Sequence, residues 1–457
     1  MILKKFEDIS IPTLEIWDRL CYINIDAKNK LNYIISNKKL IHNFDDDIDS
    51  IILYSLNYYD NLNLFVIFGK DKNNGYKYYS ENYANDYSLY GIKHLRIKSS
   101  MILKIMYQLL FARMIIKTKD ELNEYLKEQY SFIHEYDREF MDITILFLCK
   151  KDLDKKYPNE DVITNNFCIY IPNTKETIWN CASVFFCNGT LNFLEKQNFD
   201  YFLKKDFKPS KKMFLKYRKW LNTNIDNKYQ FQFILFSSVV LYLLGHRLAN
   251  DIDLYIHTSP TEVIEKINEL TLNKDYSFIE YKLKNSENWP DYWDEWLDKW
   301  AQKCGAKYFE EILANSKYHF YFLGVKIISL DCDIVRRLER NRPRAVADLI
   351  ALRKRYQYRI DIPPIPDKLT KYISIVDKTE REINELVNQG GILNEKNKEI
   401  IVLYDSDINK FIGTIIYALE LRYKMVFTVD QIKKELNMYS EERVQNKVKI
   451  IVKKNKI

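Results

Sequence analysis

The sequence predicts an α+β protein with more than one domain, and three observations lead to this prediction. The chain has 457 residues, and since a domain typically has roughly 100–200 residues, two to four domains fit this length. Hydrophobic residues make up 47% of the chain, enough to fill several cores. Runs with strand character alternate with runs of helical periodicity. Their order predicts an N-terminal α/β domain over 1–180, a central domain with a mixed sheet flanked by helices over 181–360, and a mainly helical C-terminal domain over 361–457.

The N-terminal unit contains strand-like runs, for example over 142–149 and 166–172, but no chemical signature. An Asn-Gly-Thr sequence at 188–190 predicts a turn and a helix that lead into the central unit. At the far end of that unit, three prolines fall within 360–367, which we predict to be the linker to the last domain.

The central unit shows the most regular alternation of strands and helices. Its runs predict, in chain order, a strand over 231–236, a helix over 239–244, a strand over 251–256, a helix over 261–272, a strand over 276–283, a hairpin over 318–330 and a helix from Asp331 onward. A polar turn, Ser237-Ser238, separates the first of these strands from the first helix.

Composition excludes several classes of protein. The ten glycines show neither the G-x-G-x-x-G nor the G-x4-G-K-[ST] spacing, so we expect neither a dinucleotide Rossmann enzyme nor a P-loop NTPase. Seven cysteines without a C-x-x-C pair, and an N-terminus without an uninterrupted apolar stretch, predict a reducing, cytoplasmic location. The most apolar stretch, 231–245, is too short to cross a bilayer, so we expect no membrane partner.

Basic residues are concentrated in one segment. Residues 336–359 contain nine basic and two acidic residues, a surplus equal to the whole formal net charge of +7. Arginine forks suit bidentate contacts to phosphate, so this segment predicts a nucleic-acid surface, with a solvated helix face as the alternative. The arginines that we expect to contact nucleic acid are Arg336, Arg337, Arg340, Arg342 and Arg344. A lysine-rich segment over 208–219 carries the same two interpretations.

Four tryptophans recur at helical spacing. Trp289, Trp293, Trp296 and Trp300 lie on one face of a predicted helix. We favour packing in a core or an interface, and a base-stacking platform is the alternative.

One acidic pair carries the chemistry. An Asp-x-Asp pair on a strand places both carboxylates on the same face, where hard oxygen ligands can hold Mg²⁺ or Mn²⁺. The D-x-D pattern occurs six times in the sequence. Only Asp251-Ile252-Asp253 follows a strand, a polar turn and a short helix. We therefore predict that Asp251 and Asp253 are metal ligands and that the apolar residues between and after them face a core.

The segment FSSVVLYLLGHRLANDIDLYI, residues 236–256, resembles the nucleotidyltransferase superfamily with the DNA polymerase beta-like fold. The signature of that superfamily is a hydrophobic strand, Gly-Gly or Gly-Ser, a helix, and D-x-D on the next strand. The hairpin GVKIISL and the following IVRRLERNRPRAVADLIALRKRY also resemble the segment after the catalytic sheet in many members. The domains before and after the central one resemble the poly(A) polymerase catalytic subunits of large cytoplasmic DNA viruses.

This resemblance implies a template-independent nucleotidyltransferase that adds AMP from ATP to RNA 3′ ends. It implies that Asp251 and Asp253 bind two Mg²⁺ or Mn²⁺ ions and that Ser237 and Ser238 hold the β- and γ-phosphates of the nucleotide. Ser237 stands where the family has its first glycine. Arg247, in the loop before the aspartates, is a further candidate for a phosphate contact.

The third carboxylate of such a site is not fixed by spacing. Asp331 and Glu280 are both candidates, and we favour Asp331, although it also fits the start of a helix. For Asp348, which lies among arginines, we expect a structural salt bridge.

The sequence is compatible with other functions. In the favoured one the acceptor of the nucleotide is RNA, and in the first alternative it is a protein or a small molecule. The second alternative is an inactive RNA-binding or structural protein with this fold. A homodimer and a separate processivity subunit are both compatible with the sequence. Residues 1–180 are a candidate for a degenerate copy of the catalytic fold. If the chain is viral, we expect it in the virion or the viral factory.

Overall fold

The structure is a computed structural model. It describes residues 46–58, 60–69, 72–111, 119–134, 138–152, 161–163, 167–196, 208–236, 238–244, 249, 251–257, 261–283, 293–340, 345–346, 348–350, 352, 364–370, 393–394, 399–404, 442–445 and 448–454. Over these residues the protein is α+β, as predicted, with helices flanking two five-stranded sheets.

The first sheet is wholly antiparallel, in the order β2-β3-β1-β5-β4. Its strands are β1 (Leu62–Gly69), β2 (Tyr87–Lys98), β3 (Phe140–Lys150), β4 (Val162–Ile163) and β5 (Phe167–Tyr170). The helices of this part are α1 (Asp46–Tyr58), α2 (Lys72–Asn82), α3 (Ile102–Leu110), α4 (Lys119–Gln129), α5 (Ser131–His134) and α6 (Lys175–Phe185). Strand β1 has the sequence LNLFVIFG and is buried along its whole length, as expected of a central strand covered on both faces.

The second sheet is mixed, in the order β8-β7-β6-β10-β9. Its strands are β6 (Phe233–Phe236), β7 (Ile252–Ile256), β8 (Ile279–Leu283), β9 (His319–Phe322) and β10 (Val325–Ile328). The helices of this part are α7 (Asn188–Lys196), α8 (Lys208–Asn224), α9 (Asn227–Gln230), α10 (Ser238–Leu243), α11 (Thr261–Leu272), α12 (Trp293–Lys303), α13 (Phe309–Ala314) and α14 (Leu330–Glu339). The predicted strands, hairpin and helices of the central unit are all found, and α11 has the predicted bounds.

The two sheets differ in topology. Strand β6 pairs antiparallel with β7 and parallel with β10, and β7 pairs parallel with β8. Since the first sheet has no parallel pair among its described strands, strand pairing lends no support to the hypothesis that residues 1–180 are a degenerate copy of the central fold.

The described part of the C-terminal segment contains more strand than we predicted. A short helix, α15 (Asp367–Thr370), is followed by a four-stranded sheet in the order β11-β12-β14-β13. Its strands are β11 (Leu393–Asn394), β12 (Glu399–Tyr404), β13 (Glu442–Gln445) and β14 (Val448–Lys454). The runs EIIVLY and VKIIVKK are rich in β-branched residues, which favour strands. The rest of this segment, where helices were expected, lies outside the described residues.

One hydrophobic core extends from the first sheet to the second. Helix α6 joins them, because it contacts α1, α3 and β1 on one side and β9 on the other. The indole of Trp179 on α6 donates to the carbonyl oxygen of Gly324 at 2.8 Å, and its ring meets that of Tyr321 edge to face. The boundary predicted between residues 180 and 181 falls inside this helix. Among the described helices, none combines the length and the apolar character that crossing a bilayer requires.

The hairpin β9–β10 is held in place by close packing. Gly189, at the start of α7, lies so near the carbonyl oxygen of His319 that an added Cβ would come within 1.9 Å of it. Gly324 has a φ of +77° in the turn of the hairpin, a conformation that glycine adopts without strain. The hairpin therefore docks against α6 and α7 with little freedom.

A lysine is enclosed where this hairpin meets the rest of the core. The ammonium of Lys326 donates to the carbonyl oxygens of Phe231 at 2.6 Å and Leu313 at 2.8 Å, and lies 3.4 Å from the hydroxyl of Tyr54. Burial lowers the pKa of Lys326 to about 7, because the charged form loses its hydration.

Lys326 is expected to make the free energy of unfolding increase with pH in the neutral to alkaline range. Between its folded pKa of about 7 and its ordinary pKa of about 10.4, the unfolded chain binds a proton that the native chain lacks, so the free energy of unfolding rises with pH. The expected contribution is up to about 1.4 kcal/mol per pH unit. Urea unfolding at several pH values between 7 and 10 should show this slope in the wild type and a flatter one in Lys326→Met.

The matched control is Lys317→Met, which removes an exposed lysine from the turn before β9. It should keep the wild-type slope. An unchanged slope in Lys326→Met would show that another group is responsible.

Candidate metal centre

Strand register places the candidate metal ligands on one face of the second sheet. Asp253 on β7 lies opposite Phe236 on β6 and opposite Glu280 on β8. Directly opposed residues project to the same face, and Asp251, two positions earlier, shares it. The alternate residues of β7, from Ile252 onward, are buried while the two aspartates are half-buried. The predicted orientation of this strand is confirmed.

Asp251, Asp253 and Glu280 form one acidic group. One oxygen from each carboxylate lies within 4.8 Å of the others. Loss of surrounding water, followed by the negative charges of Asp251 and Asp253, raises the pKa of Glu280. The ammonium of Lys282 acts in the opposite direction.

This donor set fits a hard divalent cation. Carboxylate oxygens are the ligands that Mg²⁺ and Mn²⁺ prefer, and a cation between three carboxylates this close would relieve their mutual repulsion. We therefore regard the acidic group as a candidate Mg²⁺ or Mn²⁺ site.

Asp331, which we favoured over Glu280 for the third carboxylate, is not part of the acidic group. It lies exposed in the first turn of α14, where Ser329 is the N-cap and accepts from the amide of Cys332. The preference was misplaced because Asp331 begins a helix, whereas Glu280 is brought to Asp253 by the parallel pairing of β7 and β8.

The predicted phosphate ligands are only partly within the described chain. Ser237 and Arg247 lie outside the described residues. Ser238 is the first residue of α10 and so belongs to the helix, where we predicted a turn, but its side chain also lies outside the description.

The arginines of α14 lie in the interior instead of along a surface. Arg337 donates to Asp333 at 2.8 Å and pairs with Asp348, and Arg336 lies 3.4 Å from Asp333. Arg336, Arg337, Asp333 and Asp348 are all buried, whereas Arg340 is half-buried. The structural salt bridge expected for Asp348 is confirmed. A strand of RNA on the protein surface, as predicted, would not reach Arg336 or Arg337, and Arg342 and Arg344 lie outside the described residues.

An aromatic layer covers the same face of the sheet beyond the acidic group. Phe236 and Tyr255 pack against Phe309, and Phe236 also packs against Trp300. Trp300 is buried and stacks on Trp296. The packing interpretation of the tryptophan stripe therefore holds for Trp300.

The outer tryptophans of the stripe are less enclosed. Trp293 and Trp296 are half-buried, and the ammonium of Lys282 lies 5.7 Å from the ring of Trp293. Trp289 lies outside the described residues.

In comparisons with known proteins, no family model, curated protein or solved structure matches this chain.

The acidic group predicts a clear difference between two single substitutions. Glu280→Gln removes a charged ligand and should weaken Mn²⁺ binding by about tenfold or more. Asp331→Asn is the matched control and should bind Mn²⁺ as the wild type does. Isothermal titration of the full chain with Mn²⁺ measures both. Equal losses in the two variants, or a loss in Asp331→Asn alone, would contradict this assignment.

Proposed function

We propose that this chain is a nucleotidyltransferase whose acidic group positions a nucleoside triphosphate for transfer of its nucleotide. The observation that carries the proposal is the meeting of Asp251, Asp253 and Glu280 within 4.8 Å at adjacent strands of a mixed sheet. Enzymes that catalyse phosphoryl transfer commonly hold divalent cations with clustered carboxylates. The short helix between β6 and β7 agrees with the resemblance noted in the sequence.

The favoured reaction adds AMP from ATP to an RNA 3′ end. The 3′-hydroxyl gives up its proton to solvent and its oxygen forms a bond to the α-phosphorus. The bond from that phosphorus to the oxygen that bridges the α- and β-phosphorus atoms breaks, and pyrophosphate leaves. Divalent cations bound at the acidic group would supply activation of the hydroxyl and neutralisation of the leaving group. The contribution of the chain is to hold three carboxylates on one rigid face, so that catalysis depends on position and charge.

RNA as the acceptor is supported by charge and by the resemblance. The formal net charge is +7, and Lys212 and Lys219 on α8 are exposed, as expected of residues that contact a phosphate backbone. We expect the ATP-dependent reaction to follow the pattern of a poly(A) polymerase.

A second candidate, transfer to a protein or a small molecule, is favoured by a specific observation. Several basic residues of the 208–219 segment, which the sequence left open between RNA contact and a solvated face, have partners within the chain. Arg218 pairs with Glu176, and Lys216 donates to the backbone of Asp275. With Arg336 and Arg337 buried as well, less basic surface is left for RNA than the sequence predicts.

Asp253→Asn tests whether the acidic group is catalytic. It should lower nucleotide incorporation by about a thousandfold or more, since bound cations contribute several kcal/mol of charge stabilisation. Because Asp253 is half-buried and the substitution preserves its shape, the melting temperature should change little. The readout is incorporation of labelled ATP with Mg²⁺ or Mn²⁺. Near wild-type incorporation in Asp253→Asn would rule out the proposal, and Asp331→Asn serves as the active control.

The acceptor is identified by offering labelled NTPs with an RNA primer, with candidate proteins and with neither. We expect primer extension, strongest with ATP.

Binding to single-stranded RNA should weaken steeply as salt rises, because phosphate contacts release counterions. Labelling of protein alone would favour the second candidate, and a flat salt response would argue against an RNA surface.

A further inference from the structure

A buried arginine packs on the face of the sheet that carries the acidic group. The guanidinium carbon of Arg336 lies 5.6 Å from the ring centre of Phe236, the residue directly opposite Asp253 in the sheet. The side chain of Arg336 is therefore packed on the face that carries the carboxylates. Its charge interacts with that of Asp253 as well as with that of Asp333.

The hydrogen-bonding capacity of Arg336 is not used up by the described protein. Arg336 is 6% exposed, yet its Nη2 and Nε atoms have no hydrogen-bond partner among the described residues. The ion pair with Asp333, at 3.4 Å, is longer than a normal N–H···O hydrogen bond. Buried donors left without partners carry a substantial free-energy cost, so an acceptor from outside the described residues is expected.

Arg337 shows what a fully structural arginine looks like on the same helix. Its guanidinium donates to Asp333 and pairs with Asp348, so two carboxylates compensate one cation. Arg336 shares Asp333 with it, and Arg340 has no ion pair among the described residues. Among the described residues, Asp333 and Asp348 are thus the two carboxylates that compensate the three arginines Arg336, Arg337 and Arg340.

Arg340 belongs to the same surplus. Arg340 is half-buried and stands four residues after Arg336. Its charge also interacts with that of Asp253. Burial, followed by repulsion from Arg336, lowers the pKa of Arg340 to about 9. An anionic ligand placed between the two arginines would relieve this repulsion.

We infer that Arg336 and Arg340 bind phosphate oxygens of the substrate's polyphosphate at the acidic group. The inference rests on the proposed function, because it takes a nucleoside triphosphate as the ligand of this face. The two arginines form the anion-binding side of the site and the three carboxylates form the cation-binding side. Arginine suits this role since its fork donates two parallel hydrogen bonds to one phosphate.

Burial and charge both favour a polyphosphate over an RNA backbone. A guanidinium that is 6% exposed is out of reach of a strand that runs along the surface, and a single phosphate group is smaller than such a strand. A triphosphate together with three carboxylates carries more negative charge than two divalent cations neutralise. Arg336 and Arg340 would supply part of the positive charge that is still missing.

The test measures polyphosphate binding separately from chemistry. Isothermal titration of the full chain with inorganic tripolyphosphate and with ATP, each with Mg²⁺, compares the wild type with Arg336→Met, Arg336→Lys and Arg340→Met. We expect Arg336→Met to weaken both ligands by about ten- to a hundredfold, the scale of a charge-assisted hydrogen bond. Arg336→Lys should recover part of the loss. The KM for ATP should rise in parallel, while the affinity for Mn²⁺ alone should not fall, because Arg336 is not a ligand of the cation and its positive charge opposes that of the cation.

Arg218→Met is the matched control for loss of a buried arginine. Arg218 is 8% exposed, donates to the carbonyl oxygen of Leu323 at 2.7 Å and pairs with Glu176. Its loss should lower the melting temperature without changing the affinity for tripolyphosphate. If Arg336→Met does not fold, Arg340→Met still decides, because it removes no buried ion pair among the described residues and should weaken tripolyphosphate binding on its own.

The outcomes separate this inference from the proposed function. Wild-type affinity for tripolyphosphate and ATP in the arginine variants would overturn the inference even if nucleotide transfer is observed. Weaker RNA binding with unchanged tripolyphosphate binding would also overturn it and assign the arginines to an RNA backbone. Loss of tripolyphosphate binding in Arg336→Met and Arg340→Met would support it even if the wild type transfers no nucleotide.

Discussion

The second sheet brings three carboxylates together, with one oxygen of each within 4.8 Å of the others, and positive charge close to them lowers their mutual repulsion. This constraint organises the second sheet. For Asp251, Asp253 and Glu280, two sources of positive charge are consistent with the structure: divalent cations held between the carboxylates, and the arginines of α14. The charges of Arg336 and Asp253 interact directly. An acidic group bounded by guanidinium groups has the electrostatic character that a metal–polyphosphate complex requires.

The rest of the fold keeps this face rigid. Phe236, Tyr255, Phe309 and Trp300 pack against one another beside the acidic group, and the common core extends through α6 to the first sheet. Side chains held by close packing do not have to be ordered when a ligand binds, which lowers the cost of binding. The buried ion pairs of Arg337 with Asp333 and Asp348 contribute in the same way, because they fix the helix that carries Arg336.

The local part of the site could be predicted from the sequence. The period of two along β7 places Asp251 and Asp253 on one face, and the apolar residues between them identify the buried side. Glu280 could be named only as a candidate, because its position depends on which strand pairs with β7 and in which register. Register between distant segments is not encoded in local periodicity.

The arginines of α14 show a different limit. A count of charges over 336–359 indicated a surface, although Asp333 stands three residues before Arg336 and four before Arg337, the spacing at which helical ion pairs form. That signal was present in the sequence. Their burial was not, because it depends on the sheet that covers the helix. The strands at 399–404 and 448–454 are a similar case, since their β-branched runs were visible but sheet pairing between them is non-local.

The most direct test of the metal centre is a crystal structure of the full chain soaked with Mn²⁺ and recorded near the manganese absorption edge. We expect anomalous density between the carboxylates of Asp251, Asp253 and Glu280, with Asp331 remote from it. Carboxylates that point away from one another, or a guanidinium filling the space between them with no anomalous density nearby, would contradict it.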